Sequence, residues 1–300
     1  MKNILILLSI VGIQSLQAAS ISIDYTFTRY GYDTAVYDLQ SGYLSGTAYG
    51  GGGYQTFLMA VNQANPQNPV FITAQRTATQ VSNYGASYVE NGTGGFYMNN
   101  QGVQSFVDIP YYNVVTHGFN DRYVVGAVGN SGLYEKGMIY DRLSNSLSYV
   151  SINGYGQLNV TGVSGNKIVG WAANSGTDNR GFWSEIGSGT YNWIDIPNSI
   201  SNIPEDIDGS GIVGHFRQSL GNNEITKSYY YDISNDVLTY FSVYGDTTVL
   251  TGIDGDKLAG SYYSAGTRWG FIATVIPEPT SISLLALGGL ALAINKRRRA

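Results

Sequence analysis

Few side chains in this 300-residue chain can carry catalysis or hold a metal. There is no cysteine, so thiolate chemistry and disulfides are excluded. The histidines are His117 and His215, and they stand in different strand registers. Metal sites usually need about three or four ligands, so each histidine reads as a packed or polar structural residue. The densest acidic run is Glu205-Asp206-Ile207-Asp208, echoed one copy later by Asp254-Gly255-Asp256. Oxygen-rich loops bind Ca²⁺, which makes Asp206, Asp208, Asp254 and Asp256 calcium candidates. The Asp-x-Asp-x-Asp-Gly run with a distal Glu that an EF-hand requires is missing, and turn formation and solubility explain the same acids. Paired carboxylates also hydrolyse glycosides, but a uniformly acidic surface singles out no pair. There is no Gly-x-Ser-x-Gly elbow, and no cofactor is expected.

Two further motifs have plainer readings. Gly209-Ser210-Gly211-Ile212-Val213-Gly214 matches GxGxxG. A nucleotide loop needs a strand before it and a helix after it, whereas here a strand pattern follows, so these are hairpin glycines. Asn91-Gly92-Thr93 and Asn159-Val160-Thr161 fit the glycosylation tripeptide. Trp171, Trp183, Trp193, Trp269 and many of the tyrosines lie on strand patterns, where they fill space or offer flat faces for sugar stacking.

The elements that must position these residues are repeats. Tyr123-Val124-Val125-Gly126, Lys167-Ile168-Val169-Gly170, Gly211-Ile212-Val213-Gly214 and Lys257-Leu258-Ala259-Gly260 align, with glycine spacings of 44, 44 and 46 residues. Weaker copies end at Gly46 and Gly85. A strand start follows each glycine: Phe57, Phe96, Met138, Phe182 and Phe271. In the fifth copy it is delayed to Tyr229, as though Gln218–Lys227 lengthened a hairpin loop. Alternating segments such as Val103–Pro110 and Tyr191–Pro197 complete each copy. Each copy therefore reads as four short strands, in the fourth copy near 158–163, 167–172, 181–186 and 191–196. No helical period occurs in the body.

Four strands every ~42 residues predict an all-β fold, a β-propeller of about six four-stranded blades, with seven blades or an open repeat stack as alternatives. The sixth copy lacks its fourth strand, while Ser20–Phe27 precedes the first copy with a fourth-strand pattern. Pairing the two would close the ring and remove exposed edges.

The ends of the chain differ from this body. Lys2 precedes an apolar run, Ile4–Ile13, and small residues near Ala18-Ala19-Ser20, the form of a signal peptide over residues 1–19. At the other end stand Pro277-Glu278-Pro279, an uncharged stretch from Ile282 to Ile294, and Lys296-Arg297-Arg298-Arg299. Thirteen residues span only about 20 Å as a helix, short for a permanent anchor. The four cations form a cytoplasmic stop. Residues 276–300 resemble the PEP-CTERM sorting signal that exosortases process in Gram-negative bacteria. The resemblance implies an exosortase-type processing enzyme and Sec-type export machinery as partners, with transient anchoring by a short hydrophobic transmembrane helix. The repeats resemble extracellular HAF-type repeats, best at Ile168-Val169-Gly170 with Gly181-Phe182-Trp183; that family's usual histidine is absent from these strands.

Between the two ends, residues 20–275 hold 11 basic and 20 acidic residues, a net charge of −9. This argues against nucleic acid as a partner. The expectation is an exported, surface-sorted protein with a non-catalytic propeller, structural or adhesive in the envelope or an exopolysaccharide matrix. A secreted glycan-active enzyme on the same scaffold is the alternative, and a Ca²⁺-stabilised scaffold a third.

Overall fold

A computed structural model describes residues 20–27, 34–40, 42–50, 53–60, 70–72, 80–82, 85–88, 95–100, 103–130, 133–174, 178–220, 223–243 and 247–276. All the regular elements among them are strands. β1 is Ser20–Phe27. Sheet one holds β2 (Thr34–Gln40), β3 (Tyr43–Gly50), β4 (Gly53–Ala60) and β5 (Val70–Ile72). Sheet two holds β6 (Gln80–Ser82), β7 (Gly85–Tyr88), β8 (Gly95–Asn100) and β9 (Val103–Asp108). Sheet three holds β10 (Asn113–Phe119), β11 (Tyr123–Gly129), β12 (Lys136–Asp141) and β13 (Ser146–Val150). Sheet four holds β14 (Gln157–Ser164), β15 (Lys167–Ala173), β16 (Arg180–Glu185) and β17 (Asn192–Trp193). Sheet five holds β18 (Ser199–Asp208), β19 (Gly211–Leu220), β20 (Asn223–Asp232) and β21 (Val237–Phe241). Sheet six holds β22 (Thr248–Asp254), β23 (Lys257–Ser264) and β24 (Thr267–Ile276), with β1 paired to β24 as its fourth strand.

Within each sheet, neighbouring strands run antiparallel in chain order, and β1 alone joins from the other end of the chain. Ser20 lies opposite Ile276 and Phe27 opposite Gly270. The first strands make the contacts between sheets: β2 with β6, β6 with β10, β10 with β14, β14 with β18, β18 with β22, and β22 with β2.

The repeated glycine has one physical cause. Each of β2, β10, β14, β18 and β22 carries a register shift opposite Gly46, Gly126, Gly170, Gly214 and Gly260 respectively. A Cβ on Gly126 would lie 1.9 Å from the Val115 carbonyl oxygen, and one on Gly170 would lie 2.1 Å from that of Asn159. At Gly214 and Gly260 the separation is 2.3 Å, from Ile203 and Val249. The bulge brings the partner backbone against this residue, so only glycine fits.

The strand-start marker fills the core. Phe182, Tyr229 and Phe271 are fully buried, each opposite its repeat's glycine. Burial of such a side chain contributes about 2–3 kcal/mol.

Three details depart from the sequence pattern. Gln218–Lys227 does not form a lengthened loop: β19 and β20 continue pairing to Leu220 opposite Asn223. The extra residues satisfy their backbone groups in a ladder, and Arg217 Nη1 meets Glu224 Oε2 at 2.9 Å. β17 has two residues rather than six. One further bond, Ile194 N–H to Gly181 O at 2.9 Å, extends it before Pro197, which has no N–H. Gly85 opens β7, whereas Gly46 sits fourth in β3.

Candidate functional site

The register shifts place one extra residue on five of the first strands: Tyr37, His117, Thr161, Glu205 and Thr251. Thr161 and Thr251 face the next sheet. Thr161 Oγ1 donates to Pro204 O at 2.6 Å, and Thr251 Oγ1 donates to Val36 O at 3.1 Å. The same position carries an imidazole on β10 and a carboxylate on β18.

Sheet five differs from its neighbours at three equivalent positions. Glu205 stands where sheets four and six have Thr161 and Thr251. His215 stands where they have Trp171 and Ser261. Tyr229 stands where they have Phe182 and Phe271. All three replacements are titratable, and they meet. His215 Nδ1 lies 3.1 Å from Glu205 Oε1, a charge contact without hydrogen-bond alignment. The Tyr229 hydroxyl is buried without a hydrogen-bond partner and lies over Gly214, where a Cβ would come within 2.7 Å of it. Burial pushes its pKa well above the usual phenol value, and the Glu205 charge adds to the shift.

His117 completes the cluster from sheet three. Its Nε2 lies 2.9 Å from Asn159 Nδ2 on β14. With the ring neutral, Nε2 accepts this amide proton and Nδ1 carries the ring proton. Burial lowers the His117 pKa, and the Glu205 charge partly opposes the shift. Asn159 Oδ1 is buried with no partner. One carboxylate, Glu205, thus touches His215 and lies within electrostatic reach of His117 and Tyr229. No group of three or more His, Cys, Asp or Glu is placed to hold a metal ion among the described residues.

Comparison with known structures bears on the frame that carries this cluster. No protein-family profile matches the chain, and no curated protein matches it. The solved structure of YjhT aligns with TM-score 0.56 over 84% of this chain and 97% of its own, at 9% identity. TolB from Acinetobacter baumannii aligns with TM-score 0.51 over 77% of this chain and 64% of its own, at 11% identity. An acylaminoacyl peptidase from Pyrococcus horikoshii aligns with TM-score 0.51 over 83% of this chain and 46% of its own, at 10% identity. The fold is that of a β-propeller. At such identities the likeness speaks to fold alone.

The propeller gives the acidic candidates a different neighbourhood from that of an ion-binding loop. Asp208 Oδ2 accepts the Gly255 N–H at 2.8 Å, and its Oδ1 accepts the Ser164 hydroxyl at 3.2 Å. Asp254 Oδ2 accepts the Gly42 N–H at 2.6 Å. Ser164 Oγ accepts the Gly209 N–H at 3.0 Å, and Asn120 Nδ2 donates to Gly165 O at 3.0 Å. Among the described residues, the first hairpins of sheets three, four and five thus each reach the glycine of the next, and that of sheet six reaches back to sheet one. Gly42, Gly165, Gly209 and Gly255 all have positive φ, between 55° and 76°. Asp206 Oδ2 accepts the Ile253 N–H at 3.0 Å, a second link between sheets five and six. Asp256 is exposed.

Other motifs fall into place or outside it. Gly209–Gly214 is the β18–β19 hairpin and the strand after it. Asn159 is 5% exposed, so its tripeptide is closed to modification in the folded chain. Pro277, Glu278, Pro279 and Lys296–Arg299 lie outside the described residues, as do residues 1–19. No helix among the described residues is long and apolar enough to cross a membrane.

Sequence reading missed Glu205 and Asn159 as partners of the histidines. The signal was available in the repeat alignment, where Tyr229 replaces phenylalanine and Glu205 replaces threonine.

Proposed function

We propose that this chain is an exported, surface-sorted bacterial protein whose body is a closed six-bladed propeller. It acts without catalysis, as a structural or adhesive component of the cell envelope or of an exopolysaccharide matrix. The observation that carries this reading is the order Pro277-Glu278-Pro279, apolar stretch, Lys296-Arg297-Arg298-Arg299. It implies Sec-type export and an exosortase-type processing enzyme. The cycle of first-strand contacts and the β1–β24 pairing support six closed blades.

A glycan-active enzyme would need two free carboxylates about 5–10 Å apart. Asp206, Asp208 and Asp254 are committed to backbone N–H groups, and Glu205 faces His215. This commitment makes these four acids poor candidates for a hydrolytic pair.

The test expresses the full chain in an exosortase-bearing Gram-negative host beside a Pro277→Ala/Glu278→Ala/Pro279→Ala variant. Wild type should shorten at its C-terminus and reach the surface or medium, while the variant stays full length in the inner membrane. Identical fates for both would overturn the sorting reading. Release of reducing ends from the host exopolysaccharide by the wild type would overturn the non-catalytic one.

A further inference from the structure

The outer rim carries a second repeated arrangement, independent of the glycines. Lys136 opens β12, with its Nζ 5.8 Å from the ring centre of Tyr111 and 5.7 Å from that of Tyr149. The same Nζ donates to the Tyr111 hydroxyl at 3.2 Å. The two rings meet edge to face at 5.3 Å. Sheet four repeats the design. Arg180 opens β16, 4.3 Å from the ring centre of Trp193. Tyr155 lies 5.2 Å from Trp193.

All three positions advance by 44 residues: Tyr111 to Tyr155, Lys136 to Arg180, Tyr149 to Trp193. The ladder register agrees. Tyr149 lies opposite Met138 and Trp193 opposite Phe182, each two residues beyond its cation. Sheet five keeps the cation and the fourth-strand ring, as Lys227 and Tyr240, with Tyr240 opposite Tyr229. In sheet six the cation position is Trp269, and the pattern stops.

Tyr111, Tyr155 and Trp193 each pack one side against the buried core and keep the rest of the ring partly exposed. Tyr149 stays 37% exposed and Tyr240 51%. Lys136 has no carboxylate partner among the described residues, although the body is strongly acidic. Arg180 pairs with Asp195, whose side chain is 76% exposed, so that contact yields easily to a competing anion. The exposed parts of these rings offer apolar surface to the C–H groups of sugars, and the cation lying over each ring matches an acid group on the same sugar. Two such stations on consecutive sheets suit a chain molecule, because weak contacts on one polymer reinforce one another.

We propose that the Tyr111/Lys136/Tyr149 and Tyr155/Arg180/Trp193 platforms, continued by Lys227 and Tyr240, bind an acidic polysaccharide. The proposal rests on the matrix-facing reading above and gives it a ligand class and a site.

The test measures binding of the full chain in detergent to polygalacturonate, with neutral dextran and a single-stranded oligonucleotide as competitors. Lys136→Gln/Arg180→Gln should weaken polygalacturonate binding about tenfold and leave the melting temperature in place. Tyr149→Leu keeps the apolar volume and should weaken binding about threefold. Salt should weaken wild-type binding, and dextran should not compete. Unchanged binding by the double variant overturns the proposal, as does stronger competition by dextran or the oligonucleotide. Sorting is read separately, from the Pro277/Glu278/Pro279 variant in cells. Binding that depends on Lys136 and Arg180 in a chain that is not sorted leaves this site standing and removes only the address.

Discussion

Sheets four and five share one frame and carry different chemistry. Both have the bulge, the opposing glycine and the buried ring, at Thr161, Gly170 and Phe182 in one and Glu205, Gly214 and Tyr229 in the other. In sheet four the bulge hydroxyl is spent on a carbonyl of sheet five. In sheet five the carboxylate cannot donate a proton that way and turns to His215. The repeat separates two jobs. Backbone constraints fix the glycines in five of the six sheets, while side chains at the fixed positions are free to diverge.

The largest effect should come from breaking what the two sheets share. Gly170→Ala and Gly214→Ala each force a Cβ onto a carbonyl oxygen, at 2.1 and 2.3 Å. Each should cost about 3 kcal/mol or more, and by similar amounts, read as a drop in the urea midpoint. A cost below about 0.5 kcal/mol at either site would show that the bulge is not a rigid constraint.

Exchanging what differs should give opposite signs. Tyr229→Phe removes a buried hydroxyl with no partner and should stabilise by about 1 kcal/mol. Phe182→Tyr introduces such a hydroxyl into sheet four and should cost about 2 kcal/mol. A loss of stability in Tyr229→Phe would mean that the phenol holds an interior water or a ligand.

The clasps between hairpins should matter less, and more in sheet five than in sheet four. Asp208→Ala removes acceptors for the Gly255 N–H and the Ser164 hydroxyl and should cost about 1–2 kcal/mol. Ser164→Ala should cost about 1 kcal/mol or less, since Gly209 N–H is exposed to water. Chelator should leave the wild-type midpoint unchanged. A rise in that midpoint with added Ca²⁺ would assign these acids to an ion instead.

The smallest effect is a pH dependence from His117. Burial lowers its folded pKa below the ordinary 6.5, so the unfolded chain takes the proton first. Its contribution is fully present above about pH 6.5 and is lost as pH falls through the folded value. His117→Gln should flatten the stability profile over that window. An unaltered slope in the variant would place the titration on another group.

Much of the frame was legible in the sequence because glycine spacing reports backbone geometry directly. Gly126, Gly170, Gly214 and Gly260 all face bulges, and Ser20–Phe27 pairs with the last sheet as its pattern predicts. The lengthened fifth hairpin was misread because Gln218–Lys227 is polar, and a solvated strand pair resembles a loop in composition. The cluster was harder to see. His117 and His215 occupy different registers, and only Glu205, reached from sheets three and five, relates them.

By itself the sequence determined the strands, their fourfold grouping and the glycines, because local sterics and alternation act within one repeat. It also fixed the polar order of the two ends. Only the tertiary structure decided which hairpin clasps which, that Asp208 and Asp254 serve backbone amides in the next sheet, and that one carboxylate bears on two histidines. Apart from Glu205 and His215 within one hairpin, those contacts join residues about 40 to more than 200 positions apart, and no local pattern encodes them until the sheets are set side by side.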